Sequence, residues 1–379
     1  MTRNQVSRSG TKLTVSKLSR RLFLSGSTAT AVIGMSQLMT SCGQKNSNNT
    51  PAPSPSASVT GVTGELNLYS SRHYNTDTAL YEGFTKETGV KVNLVEGSAD
   101  ELIERIQSEG ENTQADLLIT VDVAKLWRAQ EAGIFVPITS PILEQKIPPS
   151  LRDPQGYWFG FTKRARVIMY NKEKVKPEEL STYGALADPK WKGKIVMRPS
   201  SNTYNQSLVA SLIQANGEAK TEEWCRGFVA NFARPPQGND MKQIEDVAAG
   251  VGDLTLANTY YLTRFAKSEE PAKKEVFAKI GVFFPNQDGR GAHVNISGAG
   301  VIKNAPHKEN AVKFLEYLTS DTAQEFFAKG NDEYPVVAGV PLDPVLASFG
   351  TFKADETDIA AFGPNLAAAV KIMDRAGWK

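Results

Sequence analysis

The sequence predicts an α/β protein that folds as two lobes. Short strands alternate with helical segments from residue 65 onward, which is typical of a parallel sheet covered by helices on both faces. Two long strand-like stretches, at residues 158–170 and 282–302, interrupt this alternation. We expect these stretches to be two crossover strands that join the lobes, with a mixed sheet in each lobe and a cleft between them.

The first lobe opens with a strand at residues 65–70, in which polar and apolar side chains alternate. The predicted elements that follow are a helix at 76–88, a strand at 90–95, a helix at 99–108, a strand at 116–120 and a helix at 123–132. In the helix at 99–108, Leu102, Ile103 and Ile106 fall on one face, as packing on a sheet requires.

A further run of strands and helices lies between the two long stretches. We predict that residues 65–164 and 283–379 form lobe 1 and that residues 165–282 form lobe 2. The C-terminal helices are expected to pack on both lobes. The roughly 315 residues that remain after the N-terminal region are enough for two separate cores.

Residues 1–42 are predicted to be a twin-arginine export signal. Residues 19–24 fit the twin-arginine pattern through Arg20 and Arg21, basic residues precede them, and an apolar stretch follows at 29–39. Polar and small residues interrupt that stretch, so it is too short and too polar to span a bilayer. The alternative interpretation is an N-terminal amphipathic anchor.

Cys42 closes this signal and is a candidate for the acylated first residue of a lipoprotein. The residues before it match a lipobox imperfectly, because Met39 replaces the usual Leu, so lipidation stays open. Residues 43–64 are rich in Asn, Ser, Thr, Pro and Ala and are predicted to be a flexible linker. Such a linker suits a periplasmic protein that associates peripherally with a membrane.

The charge of the chain gives no reason to expect nucleic-acid binding. Subtracting the six basic residues of the first 42 from the total of 43 leaves 37 basic against 41 acidic residues. Cys225 is the one cysteine besides Cys42, so no disulfide is expected within the folded part. It is predicted to be a small buried residue beside Trp224.

Familiar catalytic motifs are missing from the sequence. It has no phosphate-binding loop, no nucleophile elbow, no H-E-x-x-H and no C-x-x-C, and it holds three histidines in all. Few residues are therefore available for a histidine-rich iron centre. We expect a protein that is not an enzyme.

Three polar segments place tyrosines where a strand or loop meets a helix. Tyr74 follows the first strand, Tyr204 precedes an apolar helix, and Tyr260 and Tyr261 follow a strand at 253–256. All three segments are expected at the cleft, the first on lobe 1 and the other two on lobe 2. A ligand that contacted all of them would hold the lobes together.

Phenolate oxygens suit a hard trivalent cation such as Fe(III). A tyrosine with a pKa of ~10 is ionised to about one part in a thousand at neutral pH, so each phenolate costs roughly 4 kcal/mol. Four phenolates would cost about 16 kcal/mol, which a highly charged cation can offset. Calcium and magnesium prefer carboxylates, and these segments are nearly free of them.

Each of these residues also has a structural interpretation. A tyrosine at a strand end often only packs its ring, and Tyr260 and Tyr261 would face opposite sides if they lay on a strand. They can converge if the backbone turns into a helix there. Arg164 and Arg166 are either a solvated strand face or charges that neutralise several phenolates, and the same choice applies to Arg264.

The chain from about residue 65 onward resembles the ferric-iron-binding proteins of ABC transporters, most closely the cyanobacterial Fut type. The segments that carry the resemblance are residues 68–75, 161–166, 257–261 and 186–194. The resemblance implies the two-lobed type II fold of periplasmic solute-binding proteins. It also implies one Fe(III) per chain, bound without a carbonate-type anion.

The residue roles of that family fall on particular positions here. The tyrosine ligands fall on Tyr74, Tyr204, Tyr260 and Tyr261, and a histidine that ligates iron in some members falls on His73. His73 is otherwise a surface turn residue. The arginine behind the ligands falls on Arg164, and we add Arg264, which lies one turn after Tyr261.

The sequence thus predicts a monomeric periplasmic protein that captures ferric iron and delivers it to an ABC permease and its ATPase. One alternative is a binding protein for an anion or organic ligand, with Arg164 and Arg166 as anion clamps. A second is a membrane-associated protective protein that stores iron. An iron oxidoreductase is disfavoured, because phenolates stabilise Fe(III) against reduction.

Overall fold

The computed structural model describes residues 64–72 and 74–379. Its strands are β1 Gly64–Ser70, β2 Val90–Glu96, β3 Leu117–Thr120, β4 Phe159–Asn171, β5 Leu254–Asn258, β6 Ile280–Phe283, β7 Val294–Val301 and β8 Tyr334–Pro335. Its helices are α1 Asp77–Thr88, α2 Ala99–Glu109, α3 Val123–Glu131, α4 Pro141–Lys146, α5 Thr203–Asn216, α6 Glu218–Ala230, α7 Asp240–Ala248, α8 Thr259–Lys267, α9 Pro271–Lys279, α10 Lys308–Tyr317, α11 Asp321–Gly330, α12 Pro344–Ala347 and α13 Leu366–Arg375. The export signal, Cys42 and nearly all of the linker that the sequence predicts lie outside the described residues.

The predicted alternation of strands and helices in the first part of the chain is confirmed to within a residue or two at each end. Local signals fix these ends. Helix α1 stops at Gly89, whose φ of 73° lies in the left-handed region that favours glycine. Helix α2 begins with a capping box, in which Ser98 and Glu101 each bond to the other's backbone N–H.

The sheet is mixed, as predicted for this fold class. Strand β1 pairs in parallel with β2 and with β3, and the order then continues from β3 through β7 and β4 to β5. The pairs β3–β7, β7–β4 and β4–β5 are antiparallel. Among the described strands, the parallel arrangement predicted from the alternation of strands and helices is therefore limited to β1, β2 and β3.

Strand β4 passes from one group of strands to another along its length. Its first half pairs with β7, and its second half, from Arg166 onward, pairs with β5 and β6. Every residue of β4 is buried except Lys163, which is half-buried. This continuous strand is one of the two predicted crossover strands, and its interior position places Arg164 and Arg166 inside the protein.

The C-terminal segment packs on elements from both predicted lobes. A 3₁₀ turn at Ile359–Asn365 lies against α3 and α5, and α13 packs on α5 and α6. Trp378 is fully buried near Phe228 and Phe232, with ring centroids 5.4 Å and 5.7 Å away. The exact boundaries of the two lobes stay a prediction. Among the described helices, none has the length and apolar character that a membrane span requires.

Candidate metal centre

Three of the four predicted tyrosine ligands lie in the first turn of a helix, and the fourth lies in a turn that leads into one. Tyr204 is in the first turn of α5, whose N-cap residue Asn202 accepts a hydrogen bond from a backbone N–H of that turn. Tyr260 and Tyr261 are in the first turn of α8, directly after β5. Tyr74 lies in the turn between β1 and α1. The backbone does turn into a helix at Thr259, so Tyr260 and Tyr261 do not occupy opposite faces of a strand.

The side chains of these tyrosines come together at one place. The hydroxyl of Tyr260 donates to the hydroxyl of Tyr204 at 3.3 Å. The ring centroids of Tyr260 and Tyr261 are 4.4 Å apart. The guanidinium carbon of Arg264 lies 5.7 Å, 5.1 Å and 5.3 Å from the ring centroids of Tyr74, Tyr260 and Tyr261. Segments that are far apart in the sequence therefore form one cluster of phenols.

Burial raises the pKa of three of these phenols. The pKa of Tyr260 is raised well above its ordinary value, first by burial and then by its neighbours Tyr204, Tyr261 and Tyr74. Burial also raises the pKa of Tyr261 to about 12, with Tyr204 and Asp240 adding to the effect. The pKa of Tyr74 is raised by burial and by the carboxylate of Glu333. A cluster of this kind becomes anionic only when a cation replaces the protons.

Arg164 is a buried positive charge beside this cluster. Its side chain is 1% exposed, and its guanidinium carbon lies 5.4 Å from the ring centroid of Tyr204. Nη1 donates to Ser297 at 3.2 Å, whereas Nε and Nη2 have no hydrogen-bond partner within the described structure. Burial tends to lower the pKa of Arg164, but Tyr204, Glu333 and other anionic groups outweigh it and raise the pKa. The solvated strand face considered for this residue is wrong.

Arg166 is also buried but belongs to a different set of contacts. Its guanidinium donates to the side chains of Asp240, Asn258 and Asn205 and to a backbone carbonyl of β5. It is therefore neither a solvated residue nor a free anion clamp. Arg264, in contrast, is exposed to solvent. His73, the candidate fifth ligand, lies outside the described residues.

Two buried groups near the cluster had no signal in the sequence. Glu333 is fully buried and accepts hydrogen bonds from Arg72 at 3.2 Å and from Thr162 at 3.0 Å. Arg72 also pairs with Asp77, and its guanidinium carbon is 4.6 Å from the ring centroid of Tyr74. Glu333 and Arg72 are 261 residues apart. Only the folded chain shows that they meet beside a tyrosine.

A polar cavity of about 290 Å³ opens beside Tyr204 and Tyr261. The N-cap residues of three helices line it, namely Ser98, Asp122 and Asn202. Arg198 and Lys125 line it as well. Helix N-termini carry partial positive charge, so the cavity favours a small polar or anionic group next to the tyrosines.

Comparison with known proteins settles the family. The family model described as bacterial extracellular solute-binding protein matches residues 79–354. Iron uptake protein A1 from Synechocystis sp. is 63% identical over 365 residues, which cover 96% of this chain and 100% of the relative. This chain belongs to the bacterial extracellular solute-binding proteins. The resemblance to the ferric-binding members of the family, predicted from the tyrosine segments, is confirmed.

Solved structures of this family show the same fold. The Trichodesmium protein FutA, determined with iron and citrate ligands, matches with a TM-score of 0.82 at 63% identity. That match covers 83% of this chain and 100% of the FutA chain. Apo FutA2 from Synechocystis matches with a TM-score of 0.80 at 54% identity, covering 83% of this chain and 99% of the other. The type II fold of this solute-binding family is thereby confirmed.

Proposed function

We propose that this protein is the periplasmic Fe(III)-binding component of an ABC transporter for iron uptake. The observation that carries the proposal is the convergence of four phenol side chains, Tyr74, Tyr204, Tyr260 and Tyr261, at one site. The similar proteins support it, since one is an iron uptake protein and another was determined with iron and citrate. The ion is the cargo of this protein, one per chain, and no reaction is catalysed.

The chemistry of the site fits that cargo. Phenolate oxygens are hard anionic donors, and Fe(III) is a hard cation whose charge offsets the cost of removing several phenolic protons. Four phenolates exceed the charge of one Fe(III). The buried guanidinium of Arg164, whose Nε and Nη2 have no hydrogen-bond partner among the described residues, is placed to balance that excess. Arg264 stands over three of the rings and supplies a second positive charge.

Closure of two lobes over the ion follows from the division of the ligands. We place Tyr74 on lobe 1, formed by residues 65–164 and 283–379, and the other three tyrosines on lobe 2, residues 165–282. Binding that draws on both lobes favours the closed form by its differential affinity. We infer that the closed monomer docks on a permease, which with its ATPase takes up the iron. His73 is retained as a candidate fifth ligand.

The proposal includes the route to the periplasm. Residues 1–42 act as a twin-arginine signal, and Cys42 is the candidate lipid attachment site. Replacement of Arg20 and Arg21 by lysine should remove the protein from the periplasmic fraction. An unchanged periplasmic yield would show that an ordinary signal suffices.

A second candidate function is favoured by the polar cavity beside Tyr204 and Tyr261. Its helix N-termini suit a carboxylate or another anion, and the protein would then be an anion-binding component of a transporter. Arg198, which also lines the cavity, already pairs with Asp240. Arg166 is not free for such a role, because Asp240, Asn205 and Asn258 occupy its guanidinium.

One titration separates the two candidates. Purified protein is mixed with ferric citrate, or with citrate alone, and the visible spectrum and the bound iron are measured. We expect a phenolate-to-iron charge-transfer band that saturates at one iron per chain. Binding of citrate alone, with no band on addition of iron, would support the anion carrier instead. Iron that binds but never passes to a permease-containing vesicle would indicate storage.

A further inference from the structure

The second arginine of β4 has a set of contacts that points to a separate role. Arg166 is 1% exposed. Its Nη1 donates to Asn258 Oδ1 at 3.1 Å and to Asp240 Oδ1 at 3.2 Å. Its Nη2 donates to Asn205 Oδ1 at 2.6 Å and to the carbonyl of Leu256 at 3.1 Å. One planar group thus reaches three chain segments.

Both asparagines that Arg166 contacts lie next to tyrosines of the cluster. Asn205 directly follows Tyr204 in the first turn of α5. Asn258 is the N-cap residue of α8, and its Nδ2 donates to the hydroxyl of Tyr260 at 3.3 Å. The side chain of Asn205 also donates to the carbonyls of Arg198 and Pro199, which lead into α5. Arg166 therefore connects the two helix starts that carry Tyr204 and Tyr260.

The charge of Arg166 is matched at close range by Asp240, 3.2 Å away, whereas the two carboxylates that pair with Arg164, those of Asp122 and Glu333, each lie 3.9 Å from it. Asp240 is fully buried and pairs with Arg166 and also with Arg198. An arginine whose charge is matched in this way contributes mainly the direction of its donors. The fork of a guanidinium is planar and holds several acceptors at fixed angles, which a lysine ammonium cannot do.

We propose that Arg166 is a positioning residue that ties the start of α5 to the start of α8, and so holds the hydroxyls of Tyr204 and Tyr260 at chelating distance before the ion arrives. This inference rests on the proposed Fe(III) function. Two phenolate oxygens repel each other, so an untied pair would separate when ionised. A tie made in advance lowers the cost of ordering the ligands on binding.

The test removes the two hydrogen bonds from Arg166 to the asparagines one at a time. Asn205→Ala and Asn258→Ala each remove one acceptor of Arg166, together with the bonds that the same side chain donates, and leave the Arg166–Asp240 pair in place. The iron-loaded variants are mixed with excess EDTA, and iron release and the charge-transfer band are followed. Loss of a partner behind a metal ligand typically costs 10–100-fold in affinity, so we expect release to be faster by about tenfold or more and the band to shift.

The effects of the two asparagine substitutions on iron release should not be independent. Because both asparagines work through one guanidinium, the double variant should release iron more slowly than the product of the two single effects predicts. Arg166→Lys keeps the charge and loses the fork, so it should behave like the double variant. If Arg166→Lys does not fold, the asparagine variants still decide the question.

The control is Arg234→Lys. Arg234 likewise donates to two side chains, those of Asp246 and Gln243, but contacts no tyrosine of the cluster within the described structure. It should leave iron release and the spectrum unchanged. Asparagine variants, or Arg166→Lys, that match the parent in release rate and band would overturn the positioning role. If Tyr204→Phe and Tyr260→Phe also keep the parent's band, the proposed function itself fails, which separates the two outcomes.

Discussion

The two halves of the tyrosine cluster are built differently. Tyr204, Tyr260 and Tyr261 start two helices that share hydrogen bonds with one another and with Arg166. Tyr74 lies in a turn before α1 and not within a helix. Within the described structure, no hydrogen bond joins Tyr74 to another tyrosine of the cluster, and it meets the others beside Arg264.

This difference suggests separate roles for the ligands that we place on the two lobes. In the proposed site, the three tyrosines on helix starts form a half-site that we infer is ordered in advance. Tyr74 is instead oriented from its own side, by Arg72 and by the buried carboxylates Asp77 and Glu333. We expect Tyr204, Tyr260 and Tyr261 to contribute most of the affinity for iron. We expect Tyr74 to contribute mainly to the closure of the two lobes.

The largest expected effect comes from the ordered half. Tyr260→Phe removes one hydroxyl and keeps the ring, so packing in α8 should survive. We expect iron affinity to fall on the order of 1000-fold, about 4 kcal/mol, with a shift of the charge-transfer band. Tyr261→Phe should behave in the same way.

Tyr81→Phe is the matched control, since Tyr81 is a buried tyrosine in the core beside Phe314. Its affinity and spectrum should equal those of the parent. Equal values in Tyr260→Phe, Tyr261→Phe and the parent would show that the adjacent pair only packs.

Tyr74→Phe should have a smaller effect on affinity but a larger one on shape. We expect a loss of about 100-fold in affinity, near 2.7 kcal/mol, because the preformed half-site remains. Small-angle scattering of the parent should show compaction on iron loading, and the variant should show little. If Tyr74→Phe compacts on iron loading as much as the parent does, the proposed difference in role between Tyr74 and the other three tyrosines is wrong.

Glu333→Gln tests how Tyr74 is tuned. After burial, Glu333 is the main group that raises the pKa of Tyr74, so its neutralisation should lower that pKa. The phenolate then forms more easily, and iron should be retained to a pH lower by about half a unit. Apo stability should fall, because Arg72 loses one of its two buried carboxylate partners. Iron release at a higher pH than in the parent would contradict this account.

The smallest effect concerns the apo protein at alkaline pH. The pKa of Tyr260 is raised in the folded state, so its contribution to stability is complete below the unfolded pKa of about 10 and is lost as pH rises toward the folded value. The apo parent should therefore lose about 1 kcal/mol more than Tyr260→Phe between pH 9 and pH 11. Denaturant unfolding at both pH values measures the difference. Parallel losses would mean that Tyr260 ionises freely in the fold.

The sequence was sufficient to predict the tyrosine segments and most elements near them. Loops that follow strands and precede helices lie at one edge of a sheet, so Tyr204, Tyr260 and Tyr261 could be grouped without coordinates. The alternation of strands and helices likewise predicted the parallel pairs β1–β2 and β1–β3.

The environment of each arginine could not be predicted from the sequence. Arg164 and Arg166 are two residues apart on one strand, and the same spacing fits a solvated face or a buried one. The interior position of β4 in the sheet depends on its pairing with β5, β6 and β7, which lie about 80 to 140 residues further along the chain. The pairing of Arg72 with Glu333 depends in the same way on a distant loop.

Exchange of phenolic protons for iron at the proposed site has a consequence for the proposed permease. In the proposed ligand set, one trivalent ion displaces four protons, so loading changes the charge of the site by minus one. Each captured ion therefore releases acid into the surrounding medium. A loaded protein and an empty one differ in charge as well as in shape, which gives a partner two independent ways to reject the empty form.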